Sequence, residues 1–197
     1  MQYSPGPEKV RQTLTEVYEA QVLSKKQTSQ IITEAEITAI TLLKGGTSLL
    51  FYRSVFLPAI TDKEKKLQYE LGGIMQLCND IFDVYKDYKG GIHTLMTTTK
   101  KTDEVRQLFK QLLQEGYALA YKTGYPAQNV YRFLQIISIG IFSRCFVCLN
   151  HLEKAESVSD GIFTPSVYIR QQLICDMDKI GAVLQSVKYH IKYCRTY

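Results

Sequence analysis

Apolar residues recur at intervals of three and four along almost every segment of this chain, and no stretch alternates apolar and polar residues for long enough to make a strand. Helices project side chains on one face at that spacing, whereas strands need a period of two, so the pattern confines the chain to an all-α fold. Glycine and proline pairs divide the pattern into segments. Pro7 opens the first, whose Val10, Leu14, Val17, Tyr18 and Val22 share a face to about Lys25. Thr28 or Ser29 is the expected cap of a second helix with Ile31, Ile32, Ile37, Ile40, Leu42 and Leu43. Lys44-Gly45-Gly46 then marks a break or a close helix approach.

An apolar helix continues through Phe51, Val55 and Phe56 until Pro58 ends it, and Thr61 or Asp62 caps the next. That next helix is expected to run without interruption from about Glu64 to Tyr88 and to stop at Gly90-Gly91. Thr97 to Thr102 reads as a loop, with Thr102 or Asp103 capping a helix that ends near Gly124-Tyr125-Pro126. Ala127 to about Ala155, and Pro165 to about Tyr193, make the last two helices. The expected fold is a single domain over residues 1–197, a bundle of about six or seven helices.

Composition removes several classes of function. The 197 residues are 45% hydrophobic and 22% charged, as in a folded globular domain and unlike a disordered chain. The net charge of +5 is spread along amphipathic helices instead of being gathered in a stripe, so no nucleic-acid partner is expected. Phe133 to Leu149 is interrupted by Gln135, Ser138, Ser143 and Arg144, so no transmembrane segment is expected. The first residues show no secretory signal, and a cytoplasmic location follows as the expectation. Cys78, Cys145, Cys148, Cys175 and Cys194 read as reduced thiols, since the CxxC at Cys145 and Cys148 has no second pair to complete a zinc site.

Chemistry concentrates in Gly72-Gly73-Ile74-Met75-Gln76-Leu77-Cys78-Asn79-Asp80-Ile81-Phe82-Asp83-Val84-Tyr85-Lys86-Asp87. On a helix Asn79, Asp83 and Asp87 fall at i, i+4 and i+8 and direct three oxygen ligands to one side. Carboxylates one turn apart repel unless a cation lies between them, and Mg²⁺ accepts such ligands together with water and phosphate oxygens. The same spacing also fits a solvated face neutralised by Lys86 and Lys89.

The run from Gln76-Leu77-Cys78-Asn79 through Asp83-Val84 to Asp87 resembles the squalene and phytoene synthase pattern position for position. Asn79-Asp80-x-x-Asp83 is similar to the second aspartate-rich motif of trans-prenyltransferases, and Asn79, Asp83 and Asp87 to the Asn/Ser/Glu triad of terpene cyclases. All three groups are class I isoprenoid synthases. The resemblance implies a class I terpenoid synthase-like fold, and it matches the C-terminal two thirds of such an enzyme, after its first aspartate-rich motif. It implies a prenyl diphosphate substrate, ionisation of that diphosphate followed by condensation or cyclisation, and Mg²⁺, or alternatively Mn²⁺, as cofactor. Asn79, Asp83 and Asp87 would hold metal, with Asp80 as a further ligand. Lys44, Thr47, Lys86 and Lys89 would face diphosphate.

Phe51, Tyr52, Phe82, Tyr131, Phe133, Phe142 and Phe146 would be available to line a prenyl cavity. His93, Arg170, Lys179 and the tail from Tyr193 to Tyr197 resemble groups that close over the site in some cyclases. Contact with a membrane surface through a lipid substrate and assembly as a homodimer remain open. So does the alternative of a catalytically inactive relative that binds a lipid or serves as a helical interaction module.

Overall fold

The computed structural model describes residues 6–56 and 59–193. Pro58, Cys194, the first residues and the 194–197 tail lie outside them. Among the described residues the protein is all helical, without strands, and six long rods account for most of it. These are α1 (Pro7–Ser24), α2 (Glu34–Ser54), α3 (Asp62–Phe82), α6 (Thr102–Ala120), the continuous rod α7 (Ala127–Ile137) to α8 (Ser143–Ser157), and α10 (Ile180–Tyr193). Short helices α4 (Val84–Lys89), α5 (Leu95–Thr98) and α9 (Arg170–Leu173) join them.

The broadest helix contact is α2 on α3, with α1 covering α2 and α10 covering α8. Glycine makes the first of these possible. A Cβ on Gly45 would fall 2.0 Å from the Gly72 carbonyl oxygen, and one on Gly72 would fall 2.2 Å from the Gly45 oxygen. Gly46 lies under the Tyr69 ring and Gly73 under Leu42. The two backbones therefore touch where they cross, and the glycine pair of α2 is a contact and not a break. Helix α2 runs through it uninterrupted, since a glycine inside a helix costs only about 1 kcal/mol relative to alanine.

Local caps set the helix boundaries. The second helix is capped by Thr33, not Thr28 or Ser29: Thr33 Oγ1 accepts the Glu36 amide and Glu36 accepts the Thr33 amide. This reciprocal pair satisfies two orphan donors at once, while residues 25–28 form a separate 3₁₀ turn. Thr61 caps α3 as expected. Glu64 in that first turn also holds Arg53 of α2 at 2.6 Å and accepts the Tyr125 hydroxyl at 3.0 Å. Gly91, at φ 65°, ends α4: the Ile92 amide donates to the Asp87 carbonyl and the Gly91 amide to that of Tyr88.

Three expected segments divide differently. The long helix of residues 64–88 bends at Asp83, whose φ of −91° and ψ of 12° lie outside the helical basin. The expected loop after Thr97 begins later, because Thr94 and Thr97 cap the single turn of α5. The last helix starts at Ile180, not Pro165. Asp176 accepts the Asp178 amide, a side-chain turn that competes with helix formation.

The core lies between α3, α6 and α8. Phe109, Phe142, Phe146 and Tyr117 fill it, with Phe109 and Phe146 5.1 Å apart. A π turn at Ser138–Phe142 joins α7 to α8. The resulting rod, Ala127–Ser157, is long and apolar enough to cross a membrane by length and composition, but 56% of its most apolar window is buried inside the protein. Its packing here is that of a core helix.

Gly45→Ala is expected to lower stability by about 2 kcal/mol or more, because the new methyl meets backbone that cannot swing aside. Gly181→Ala, in α10 with open space around it, is expected to be neutral or to stabilise by about 0.5 kcal/mol. Urea titration of the two variants followed by circular dichroism checks the contrast.

Candidate functional site

The glycine crossing brings one turn of α2 against the acidic end of α3. Asp80 points inward, 3% exposed, and its carboxylate accepts Gln76 Nε2 at 2.9 Å and Thr41 Oγ1 at 3.1 Å. Burial pushes its pKa up to about 6. The bonds from Gln76 and Thr41 and the charge of Lys44 act in the opposite direction, and Asp87 adds to the rise.

Beyond the bend, Asp87 is 7% exposed and accepts no side-chain hydrogen bond among the described residues. Its pKa is also raised, first by burial and then by Asp83, with Lys86 and Lys44 offsetting part of the effect. Asp83 is half-buried and bonded to Lys86 Nζ at 3.1 Å. The bend keeps the acids on successive rungs, because the Asp83 amide donates to Asn79 and the Asp87 amide to Asp83.

Of the residues singled out in the sequence, Asp80, Asp83, Asp87, Lys44 and Lys86 therefore share one electrostatic neighbourhood. The others stand apart from it. Asn79 is on the solvent side. Thr47 is buried, and its hydroxyl donates to the Leu43 carbonyl of its own helix at 2.9 Å. Lys89 lies over the rings of Tyr85 and Tyr88. Thr41 was not foreseen; its signal was its position one helical turn before Gly45, on the face that meets α3.

Further elements border this end of the bundle. Arg170 stacks its guanidinium 5.9 Å from the Tyr85 ring, which ties α9 to α4. The backbone of His93 is clamped by Gln27, whose carbonyl accepts the His93 amide and whose side chain donates to the His93 carbonyl. The aromatics expected to line a cavity do not surround one space: Phe142 and Phe146 are core residues, whereas Tyr52 is exposed.

A cleft of about 1120 Å³ opens between α8, α9 and α10, with His151, Lys154, Arg170, Cys175 and Lys179 on its walls. None of the expected metal-binding residues lines it, so cleft volume and acidic chemistry point to different places. Electrostatics favours the acidic end as the site, since buried carboxylates with displaced pKa values gather there. Cys78, Cys145, Cys148 and Cys175 are free thiols, and burial raises the first of the CxxC pair, Cys145. Among the described residues no three His, Cys, Asp or Glu side chains are placed to hold a metal by themselves.

Comparison of the chain with protein-family models, with curated proteins and with solved structures finds no match.

Because the folded-state pKa of Asp80 lies above its unfolded value, folding takes up a proton between pH ~4 and ~6. This group's contribution is most favourable below that window and is lost as pH rises through it, by roughly 3 kcal/mol at most. Asp80→Asn is expected to abolish that decline and to raise stability at pH 7 relative to the unaltered chain. Thermal melts from pH 4 to 8 in chelator-containing buffer read the difference.

Proposed function

We propose that the chain carries one metal-binding wall of a class I isoprenoid synthase-like protein acting on a prenyl diphosphate with Mg²⁺. The observation that carries this reading is the pairing of Asp83 with the nearly buried, hydrogen-bond-poor Asp87, flanked by Lys44 and Lys86. The match of Gln76, Leu77, Asn79, Asp83, Val84 and Asp87 to the synthase pattern supports it independently.

The donor set fits the ion. Mg²⁺ takes one or two carboxylates and leaves its remaining positions to water and substrate phosphate oxygens. Asp83 and Asp87 would hold it, with Asn79 beside them on the open side. Asp80 is a poorer ligand, because both of its oxygens are already bonded to Gln76 and Thr41. Its role is to brace α3 against α2.

Bound Mg²⁺ supplies Lewis-acid charge to a departing diphosphate. The protein's own groups orient that diphosphate. Lys86 is exposed and bonded only to Asp83 among the described residues, so it would be placed to meet a phosphate oxygen of a substrate held there. Lys44 adds positive charge from α2, and Arg170 lies 5.9 Å from the Tyr85 ring centre. Such fixed charges stabilise a leaving group without reorganising during the reaction. Condensation or cyclisation of the resulting allylic fragment would follow.

One observation favours a second reading, a non-catalytic relative that binds a lipid or a partner. Aromatic side chains fill the interior, and the clefts of about 1120 and 340 Å³ are lined by residues other than the four candidate ligands.

Calorimetric titration with Mg²⁺ and a non-hydrolysable farnesyl diphosphate analogue decides between them. The proposal expects binding that requires the metal and weakens by about tenfold or more in Asp83→Asn and in Asp87→Asn. Binding indifferent to metal and to both substitutions would leave the non-catalytic reading.

A further inference from the structure

Helix α10 turns an apolar side away from the protein. At about 100° per residue, Ile180, Val183, Leu184, Val187 and Ile191 fall in one strip roughly 100° wide. All five are exposed, Ile180 to 79% and Leu184 to 59%. The opposite side holds the helix in place: Ser186 pairs with Ser143 at 2.9 Å, His190 with Ser138 at 2.8 Å, and Tyr189 and Tyr193 stack on Phe146. The outward strip is therefore a second apolar face on a helix that is already anchored.

On the neighbouring rod Ile139, next in sequence to the Ser138 that His190 binds, is 42% exposed. Single exposed apolar side chains are ordinary on any protein. Five along one strip of one helix form a patch that needs an occupant.

Charge selects the occupant. Helix α10 contains no aspartate or glutamate, its Lys188 and Lys192 are exposed, and the acids nearest in sequence, Asp176 and Asp178, precede its first turn. Lys188 and Lys192, one turn apart, run along one margin of the strip, where a lysine stem can lie on apolar surface and lift its ammonium outward. An apolar strip edged by cations suits an anionic lipid surface. A second copy of this chain docked through the same patch would bring like charges together.

We propose that the outward strip of α10 is a docking surface on which the protein lies against anionic membrane, the helix axis in the plane of the headgroups. The proposal does not rest on the metal chemistry. Sedimentation with vesicles of phosphatidylcholine containing about a third phosphatidylserine tests it, using the chain, its Leu184→Glu/Val187→Glu variant and its Lys188→Gln/Lys192→Gln variant. Light scattering gives the oligomeric state, and circular dichroism shows that each variant folds.

The expected result is binding to the anionic vesicles that falls about tenfold or more in the first variant. It should also fall in the second variant and in high salt, and be weak on pure phosphatidylcholine. Absence of vesicle binding by the folded chain overturns the proposal. So does vesicle binding unaffected by the Glu substitutions, or a dimer that those substitutions dissociate without any vesicle binding.

Discussion

Everything at the acidic end of this protein depends on two helices touching backbone to backbone. Gly45 and Gly72 leave no room for even a methyl group between α2 and α3, and only at that separation does Thr41 reach Asp80. A wider crossing would leave Asp80 buried without its α2 partner, and an unsatisfied buried carboxylate is costly. The glycines thus act on chemistry through distance. They lower the intrinsic stability of each helix and recover that loss through contact.

The same crossing sorts four neighbouring polar residues into different roles. Asp80 is an internal brace, Asp83 a half-buried acid bonded to lysine, Asp87 a nearly buried acid that accepts no side-chain hydrogen bond among the described residues, and Asn79 a solvent-facing amide. A uniform helix would have set Asn79, Asp83 and Asp87 on one face alike. The register is kept through the bend at Asp83, and unequal burial is what gives the three different surroundings. Burial is the first cause of the raised pKa of Asp87 and the charge of Asp83 the second, and a cation bound there, as proposed, would relieve the second.

The C-terminal half is organised around a polar seam inside an otherwise apolar contact. Ser138 and Ser143 at the two edges of the π turn meet His190 and Ser186, and Asn150 meets both Tyr189 and Arg106. These bonds fix α10 in rotation about its axis, since directional partners tolerate little slippage. With its inner side so committed, the helix has no choice about where its remaining apolar residues point.

The all-helical class and the capping at Thr61 were legible in the sequence, because periodicity and capping act within a few residues of each other, whereas the expected six or seven helices became more once the chain bent at Asp83 and formed the short turns between the long rods. The Thr33 cap was legible too, as Thr33-x-x-Glu36, but it was masked by the nearer candidates Thr28 and Ser29. Sequence alone also marked the acidic run and the glycine pairs as exceptional. It left undecided whether Gly45-Gly46 breaks a helix or joins two, whether Asp80 faces metal or Thr41, and which side of α10 is turned inward. Those outcomes depend on partners 23 to 52 positions away in the chain, and only the tertiary structure brings such residues into contact.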